Sequence, residues 1–504
     1  MASLPGASTP PLTDRLLRSW LRCRRRAWLD RHGAGDRRQW SAHRALALQE
    51  QVRSFRALVP QRPARGEQGC AAAAAAVVGL RLRGQVGSLA VEAQPSLLQR
   101  VEGTASRWGP HAYRPVLARQ GRRVTREHRL VLALWARLLA LHQQAPVDHG
   151  LVLAGAGRQL ERERLSLGMG LQRQLEQALQ GLAADLARPD PPPLVNDRKK
   201  CTLCSWRGLC DAEAEAEGHL SEVSGIGGKR REMLLEQGIT SLGQLAQVDP
   251  DQLGEALAVH GEQHREVAAQ LVAQAMVQVA GEPRRLRAGP ALPELHTAPG
   301  VLLYDIESDP DARDDFLHGL LRLPQGAAGG WPEPATAGPS GRYHPLLALQ
   351  EHGEAQLWRR LRTRLGHDPT WPLLHYGETE AIALLRLAER QGADARERQQ
   401  LKARLVDVHQ RLRQHWLLPV NSYGLKAVAG WLQFRWSQKG VDGARCLLWW
   451  RQWRAWQGGD RPVRLQAQDL DRIFTYNRDD ALATWAVAHW LLQQDQAGVK
   501  VPQG

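Results

Sequence analysis

Three carboxylates and a tyrosine in the C-terminal part of the sequence have the types and spacing of a divalent-cation site. Asp305 and Glu307 stand two residues apart in the apolar segment VLLYDIES, which predicts a β-strand. Residues two apart on a strand share one face, so the two carboxylates would lie side by side. Such carboxylates repel each other unless a cation lies between them. Tyr476 and Asp480 stand four apart in FTYNRDDALATWAV, which predicts that they share one face of a helix.

This pattern of D-x-E on a first strand and Y-x-x-x-D on a late helix resembles the DEDD exonucleases, which have an RNase-H-like fold. The resemblance implies that Asp305, Glu307 and Asp480 bind two Mg²⁺ or Mn²⁺ ions. It also implies that Tyr476 orients the attacking water.

A further acidic ligand should lie between these two motifs. In PLLHYGETEAIALL, where a strand is predicted to end and a helix to begin, Glu380 is the preferred candidate and Glu378 the spare. The resembled family usually has Asp at this position. Asp407, in RLVDVHQ, is another acidic candidate, predicted to lie on the polar face of a helix.

A second constellation is the cysteine spacing C-x2-C-x5-C, formed by Cys201, Cys204 and Cys210. Backbone turns can point three thiolates so spaced at one metal centre, and zinc or an iron–sulfur cluster needs a fourth ligand. The remaining cysteines of the chain are Cys23, Cys70 and Cys446.

Cys23 is the preferred fourth ligand because the arginines around it, in WLRCRRRAWLD, would favour its thiolate. Cys70 adjoins a run of alanines and Cys446 lies in an apolar segment, so both are interpreted as buried packing residues.

The N-terminal C-R-R segment and the distal cysteines together resemble the iron–sulfur staple of RecB-like nucleases, including CRISPR-associated RecB-like exonucleases and AddB-type helicase–nucleases. The resemblance implies a [4Fe–4S] cluster held by Cys23, Cys201, Cys204 and Cys210, with zinc as the alternative. It also implies a helicase as a candidate partner.

The catalytic motifs of that family are not matched here. Gly87 stands where the first acidic residue is expected, and residues 117–119 read Leu-Ala-Arg in place of an acid-x-Lys motif. The following helix has Val131 and Trp135 where related nucleases often carry Gln and Tyr. We therefore expect a degenerate nuclease site in this part of the chain. A shifted site using Glu92 or Glu102 is the alternative.

The segment SGIGGKRREMLLEQGITSLGQL resembles a helix-hairpin-helix element. Gly225 and Gly227 would let backbone N–H groups approach a phosphate at a helix N-terminus, with Lys229 and Arg230 beside it. Such contacts do not depend on base sequence. A purely structural hairpin is the alternative.

Composition favours a nucleic-acid partner without proving one. The chain has 504 residues and a formal net charge of +15, which suits a polyanionic partner, although an Arg-rich codon bias gives the same excess. No apolar run is long enough to span a membrane, and the first residues lack the pattern of a signal peptide. We therefore expect a cytoplasmic protein without membrane contact.

The predicted architecture is multidomain α/β. It comprises a RecB-like, restriction-endonuclease-type domain at 13–212, a helical hairpin segment at 213–280, a linker at 281–299 and an RNase-H-like domain at 300–496. Further expectations are a helix from Thr13 to Gly33, a surface loop at 324–341, and helices at 379–417 and 422–435.

This order of parts resembles bacterial RecB-family nucleases that carry a YprB-type RNase-H-like domain. It implies a metal-dependent 3′–5′ exonuclease in repair or turnover, with DNA favoured over RNA. One alternative is a non-catalytic iron–sulfur protein that binds nucleic acid. Another is a redox sensor that reports through its cluster.

Overall fold

The computed structural model describes residues 10–119, 123–156, 159–195, 198–312, 314–326, 329–349, 351–456 and 463–497. The chain divides into two compact units, Met1–Ala212 and Glu213–Gly504. Among the described residues, no helix combines the length and apolar character needed to cross a bilayer.

The first unit is built on two sheets with strand orders β2-β3-β6-β7-β8-β9 and β1-β5-β4. Its strands are β1 (Leu12–Thr13), β2 (Ala64–Arg65), β3 (Ala76–Val78), β4 (Leu82–Val86), β5 (Leu89–Ala93), β6 (Leu97–Ser106), β7 (Gly109–Arg119), β8 (His149–Ala156) and β9 (Gln159–Ser166). Its helices are α1 (Asp14–Arg22), α2 (Arg24–His32), α3 (Ala42–Leu58), α4 (Gly66–Ala71), α5 (Arg126–Gln143), α6 (Met169–Leu186) and α7 (Arg207–Ala216), the last of which runs into the second unit.

Helix α5 forms the centre of the first unit's core. Its residues from Leu130 to Ala136 are all buried, because this part of the helix is apolar on every side. Thr125 and His128 form a capping box that fixes where α5 begins.

The predicted single helix from Thr13 to Gly33 is wrong, because the helix is interrupted at Cys23. This residue is extended, with φ −162° and ψ 119°, and it ends α1 and caps α2. Its sulfur accepts a hydrogen bond from the Arg26 N–H at 3.4 Å. The interruption therefore places the Cys23 thiol at the N-terminus of α2, where burial raises its pKa against the hydrogen bonds from the backbone N–H groups of Arg26 and Arg25.

The second unit is built on a sheet with strand order β13-β12-β11-β14-β15. Its strands are β10 (Arg284–Arg285), β11 (Gly300–Asp309), β12 (Asp314–Pro324), β13 (Arg342–Leu347), β14 (Leu373–His375), β15 (Leu405–Asp407) and β16 (Trp416–Leu417). Its helices are α8 (Gly228–Glu236), α9 (Leu242–Leu245), α10 (Pro250–Ala258), α11 (Glu262–Arg265), α12 (Ala268–Ala280), α13 (Pro334–Ser340), α14 (Gly353–His367), α15 (Glu378–Arg390), α16 (Ala395–Arg404), α17 (Val408–His415), α18 (Leu425–Trp431), α19 (Gly443–Trp456) and α20 (Val463–Ala497).

Strand β11 is the centre of this sheet. It is antiparallel to β12 and parallel to β14, and both of its faces are covered. Val301 and Leu303 pack in one cluster with residues of α20, whereas Leu302 and Tyr304 pack in another with residues of α14 and α15. The two-residue period of the strand therefore turns residues 305 and 307 toward the α20 side.

Three predicted elements of the second unit need correction. The predicted linker 281–299 contributes Ala291, Leu292 and Leu295 to the core, all fully buried. The predicted loop 324–341 contains α13. Helix 422–435 is shorter than predicted, since α18 ends at Trp431.

The predicted long helix at 379–417 is also wrong. The segment forms α15, α16 and α17, with β15 between the last two. Val406 is buried and pairs with Leu374 on β14, so these apolar residues extend the sheet. As a result Asp407 lies at the end of a strand and not on the polar face of a helix.

Candidate active site

Three of the predicted carboxylates converge in the second unit. Asp305 and Glu307 on β11 and Asp480 on α20 each place a carboxylate oxygen within 4.8 Å of the others. Among the described residues this is the one group of three or more His, Cys, Asp or Glu ligand atoms with such spacing. Glu307 is 7% exposed, whereas Asp305 and Asp480 are half-buried, so the group is partly open to solvent.

Each of the three carboxyl groups placed together in this site has a raised pKa. Burial, followed by the charge of Asp480, raises the pKa of Asp305 and of Glu307 well above the ordinary value. Burial also raises the pKa of Asp480 to about 6, against hydrogen bonding from Trp436 and the charge of Lys426. A divalent cation among these oxygens would remove the repulsion that raises these pKa values.

Asn477 is a site residue that the sequence interpretation missed. It is fully buried on α20, and its Nδ2 atom donates a hydrogen bond to Asp305 Oδ2 at 2.5 Å. Its Oδ1 atom accepts a hydrogen bond from the Tyr343 hydroxyl at 2.7 Å. These two hydrogen bonds, from Tyr343 to Asn477 and from Asn477 to Asp305, fix the orientation of the Asp305 carboxylate.

Gly319 makes room for that amide. It is the partner of Asp305 in the β11–β12 register. A Cβ atom at Gly319 would overlap the Asn477 Oδ1 atom and would lie 2.8 Å from its Cγ and 3.0 Å from the Tyr343 hydroxyl. The position therefore requires glycine because of close approach, a signal that the strand sequence FLHGLLRL does not disclose.

The two adjacent aspartates of α20, Asp479 and Asp480, make different contacts. Asp480 faces the carboxylate group and accepts a hydrogen bond from Trp436 Nε1 at 2.7 Å. Asp479 accepts from the backbone N–H and the hydroxyl of Ser437 at 2.8 and 2.6 Å, and so holds the segment that carries Trp436.

Tyr476 and Lys426 border the same group. Tyr476 is 5% exposed, and burial next to Asp480 raises the pKa of its hydroxyl, which therefore stays protonated. Lys426 Nζ lies 5.1 Å from the centre of the Tyr476 ring and donates to the Val441 carbonyl at 2.5 Å. Its charge lowers the pKa of Glu307 and Asp480.

Cys446, interpreted from sequence as a packing residue, is fully buried but also contacts the site. Burial, followed by the charge of Glu307, raises the pKa of its thiol well above the ordinary value. The neutral thiol donates a hydrogen bond that lowers the pKa of Glu307.

Glu380 lies near the group without belonging to the close triad. Burial, followed by the charges of Asp407 and Asp480, raises the pKa of its carboxyl to about 7. Its Oε2 atom is buried without a hydrogen-bond partner. Glu378, the spare candidate, is exposed.

Asp407 fixes the turn from which Glu380 projects. Its Oδ1 atom accepts from the Gly377 N–H at 3.0 Å and from the Gln410 N–H at 3.1 Å. Gly377 has a φ of +105°, which few residues other than glycine adopt, and it caps α15. Asp407 is thus a positioning residue at the end of β15.

The predicted cysteine ligands lie together in the first unit. Burial, followed by the charges of Cys23, Cys204 and Cys210, raises the pKa of Cys201 to about 11. The Cys204 N–H donates to the Cys201 carbonyl at 2.9 Å, which closes the turn between them. Cys70 is buried as a packing residue.

The residues expected to have replaced a RecB-like active site make other contacts. Gly87 lies in the turn between β4 and β5 with a φ of +59°. Arg119 pairs with Glu161 at 3.2 Å, and Trp135 Nε1 donates to Asp14 Oδ2 at 2.8 Å.

Both residues of the alternative site in this unit are paired. Glu92 forms an ion pair with Arg83 at 2.8 Å, and Glu102 with Arg100 at 2.7 Å. Neither belongs to a close group of three candidate metal ligands among the described residues.

The glycine hairpin precedes α8 as the sequence suggested. Gly225 has a φ of +96°, and Gly227 is the N-cap of α8. Lys229 is exposed in the first turn, whereas Arg230 folds back to donate to the Gly225 carbonyl at 2.7 Å.

Comparison with known proteins supports the second unit's interpretation. Residues 302–492 match the family model described as RNase_H superfamily. A solved structure titled "Crystal structure of SSO0001" is 12% identical, with 41% of this chain and 89% of that chain covered and a TM-score of 0.24. No curated protein matches the chain. The second unit therefore contains an RNase-H-like domain, which indicates a nuclease-type enzyme acting on nucleic acid.

Proposed function

We propose that the chain is a metal-dependent nuclease that hydrolyses phosphodiester bonds, with a 3′–5′ exonuclease activity on DNA or RNA. The observation that carries the proposal is the convergence of Asp305, Glu307 and Asp480 within 4.8 Å, on an RNase-H-like domain.

The residues present fit one or two hard divalent cations. The donors are carboxylate oxygens, which Mg²⁺ and Mn²⁺ prefer. Glu380, whose buried Oε2 atom has no hydrogen-bond partner and whose carboxyl interacts with the charge of Asp480, would supply a fourth oxygen donor. Bound there, the cations would activate water and stabilise the leaving oxygen.

The remaining side chains orient the reacting groups. Asn477 holds the Asp305 carboxylate and Trp436 holds that of Asp480, so the ligand oxygens are preorganised. Tyr476 keeps a protonated hydroxyl next to Asp480, where it can donate a hydrogen bond to a water or to a phosphate oxygen.

The test of this function is hydrolysis of end-labelled single- and double-stranded DNA and RNA by the full chain with Mg²⁺ or Mn²⁺. Labels at the 5′ and 3′ ends distinguish exonucleolytic polarity from internal cutting. Tight binding without cleavage of any substrate would favour a non-catalytic nucleic-acid-binding protein instead.

Metal binding should change how stability depends on pH. The carboxyl groups of Asp480 and Glu380 have folded pKa values of about 6 and 7, above the unfolded value of about 4. Groups with a raised folded pKa contribute stability that is fully present below the unfolded pKa and is lost as pH rises through the folded pKa.

We therefore expect the Tm without divalent ions to fall as pH rises from about 5 to about 8. Mg²⁺ should restore the Tm at about pH 8 and do little at about pH 5, where its ligands are protonated. Differential scanning calorimetry with and without EDTA measures this. An equal effect of Mg²⁺ at both pH values would contradict a carboxylate site, and Asp480→Asn should flatten the metal-free profile.

We also propose that Cys23, Cys201, Cys204 and Cys210 hold a [4Fe–4S] cluster. Burial raises the pKa of Cys23, Cys201 and Cys210, and the charge of Cys204 raises each of them further, so these thiols lie near one another. Among the described residues, however, no three of them reach the 4.8 Å spacing of the acidic group.

Anaerobic purification followed by iron, sulfide and zinc analysis tests this cluster. We expect about four iron atoms per chain and a visible charge-transfer band, both lost in Cys201→Ser and kept in the control Cys70→Ser. If zinc is found without iron, the four cysteines bind zinc and not a cluster. If neither metal is found, the proposal that these cysteines bind a metal is refuted.

A further inference from the structure

A cavity of about 760 Å³ in the first unit is lined by an excess of arginines. Four arginines line it, namely Arg15, Arg18, Arg65 and Arg81. The one acidic residue in its wall is Asp14, which is buried and already bonded to Trp135. The cavity therefore has a net positive charge at its surface.

Three of these arginines make no direct side-chain polar contact in the described part of the chain, although Arg15 lies near enough to Asp14 for its charge to act on that carboxyl. Arg15, Arg65 and Arg81 are exposed, and within the described part of the chain they form no ion pair or side-chain hydrogen bond. Arg18 is half-buried, with its guanidinium 5.2 Å from the centre of the Trp135 ring. Grouping unpaired cations costs electrostatic free energy, which an anionic ligand would offset.

A second cavity, of about 1030 Å³, continues the first, since both share Arg15, Arg18 and Ser96. Its wall adds Arg22, Arg26, Arg38 and Arg44 together with the acidic Asp30. Arg22 is ion-paired with Glu127, and Arg26 and Arg38 are ion-paired with Asp30, so this cavity adds less free positive charge than the number of its arginines suggests. It also includes Trp40, whose surface is 57% exposed. Charged side chains beside an exposed indole are the usual components of a site for single-stranded nucleic acid, where phosphates meet cations and bases stack.

We propose that these two cavities form a binding groove for single-stranded nucleic acid, in which Arg15, Arg65 and Arg81 contact backbone phosphates and Trp40 stacks on a base. This proposal rests on the proposed nuclease function and assigns to the first unit a substrate-holding role that needs no catalysis. Trp135 lines the groove, with its Nε1 atom donating to Asp14 Oδ2.

The test is fluorescence anisotropy with the full chain and a labelled single-stranded oligonucleotide, in EDTA so that cleavage does not interfere. The variant R15A/R65A/R81A should bind about 10-fold more weakly or worse, and its plot of log K against log salt should lose about 2 units of slope. The charge-matched control R56A/R129A/R173A removes three exposed arginines that lie outside both cavities and make no ion pair with a described residue, and it should bind nearly as the wild type. W40A should weaken binding without changing the salt slope.

Each outcome separates this proposal from the nuclease function. Equal binding by the groove triple variant and its control would overturn the groove while leaving cleavage untouched. If R15K/R65K/R81K failed to restore the salt slope, loss of structure and not loss of charge would explain the alanine variant, and the groove would be refuted. Displacement of the oligonucleotide by equimolar inorganic triphosphate would point to a mononucleotide site and overturn strand binding. A wild type that neither binds nor cleaves nucleic acid would refute the nuclease function itself.

Discussion

Asp305→Asn is expected to reduce metal-dependent hydrolysis by at least about 10³-fold, corresponding to about 4 kcal/mol of transition-state stabilisation. The amide keeps the shape of the carboxyl group, and its oxygen can still accept the hydrogen bond that Asn477 donates. What is lost is one negative charge from the group that would hold the cations. The measurement is the rate of product release from end-labelled substrate under single-turnover conditions.

A stability measurement shows whether the loss is chemical or structural. Because Asp305 lies beside the carboxyl groups of Glu307 and Asp480, removing its charge should raise the Tm of the metal-free protein at neutral pH. The same variant should gain less Tm from Mg²⁺ than the wild type gains. Asp471→Asn, which removes an exposed carboxylate from the same helix, is the matched control and should change neither quantity. Full activity of Asp305→Asn would move catalysis out of this domain.

Gly319→Ala is expected to give the second-largest effect, through the position of a neighbouring amide. The added Cβ atom would overlap Asn477 Oδ1, so Asn477 must leave Asp305 and the Tyr343 hydroxyl loses its acceptor. Overpacking of this kind costs about 1–3 kcal/mol of stability. Because the Asp305 carboxylate is then no longer held, activity should fall by about 10²-fold or more. Urea unfolding and the single-turnover assay measure the two effects.

A double variant separates packing from positioning. Gly319→Ala combined with Asn477→Ala removes the overlap, so part of the lost stability should return, whereas activity should stay low because Asp305 still lacks its donor. Gly366→Ala, at a helical glycine with nothing within 4 Å of its Cβ position, is the control and should be neutral or slightly stabilising. Unchanged stability and activity in Gly319→Ala would mean that the site tolerates the methyl group and that the Asn477 contact does not matter.

The cysteine and acidic residues illustrate how far local spacing reaches. The two-residue period of β11 turned Asp305 and Glu307 to one side, and the helical period set Tyr476 and Asp480 on one face of α20, both as the spacing predicted. The cysteines were grouped from a short local motif plus a charged environment. On β11 and α20 the relevant geometry is decided within a few residues of backbone, which is why the amino-acid sequence discloses it, whereas Cys23 lies far along the chain from Cys201.

Strand β15 shows where reasoning from local sequence fails. The polar sequence around residues 379–417 favours a helix, yet Leu405 and Val406 complete a sheet by pairing with β14. This pairing sets Asp407 at a strand end, from which it holds the Gly377 turn below Glu380. Tertiary burial of two apolar residues overrides the helical propensity of their neighbours, and no local pattern states that a sheet edge is available there.

The amino-acid sequence by itself determined which side chains could bind cations and which face of its own element each would occupy. Only the tertiary structure decided which of them meet and what holds them. Asn477 binds Asp305, which is 172 residues away in the chain. Residue 319 is glycine because any side chain there would overlap the Asn477 amide. The physical reason is that periodicity is a property of a single element, whereas a site depends on close packing between elements distant in the chain. The arginine groove follows the same rule, since its unpaired cations come from α1, β2 and the segment before β4 and become neighbours only when the first unit folds.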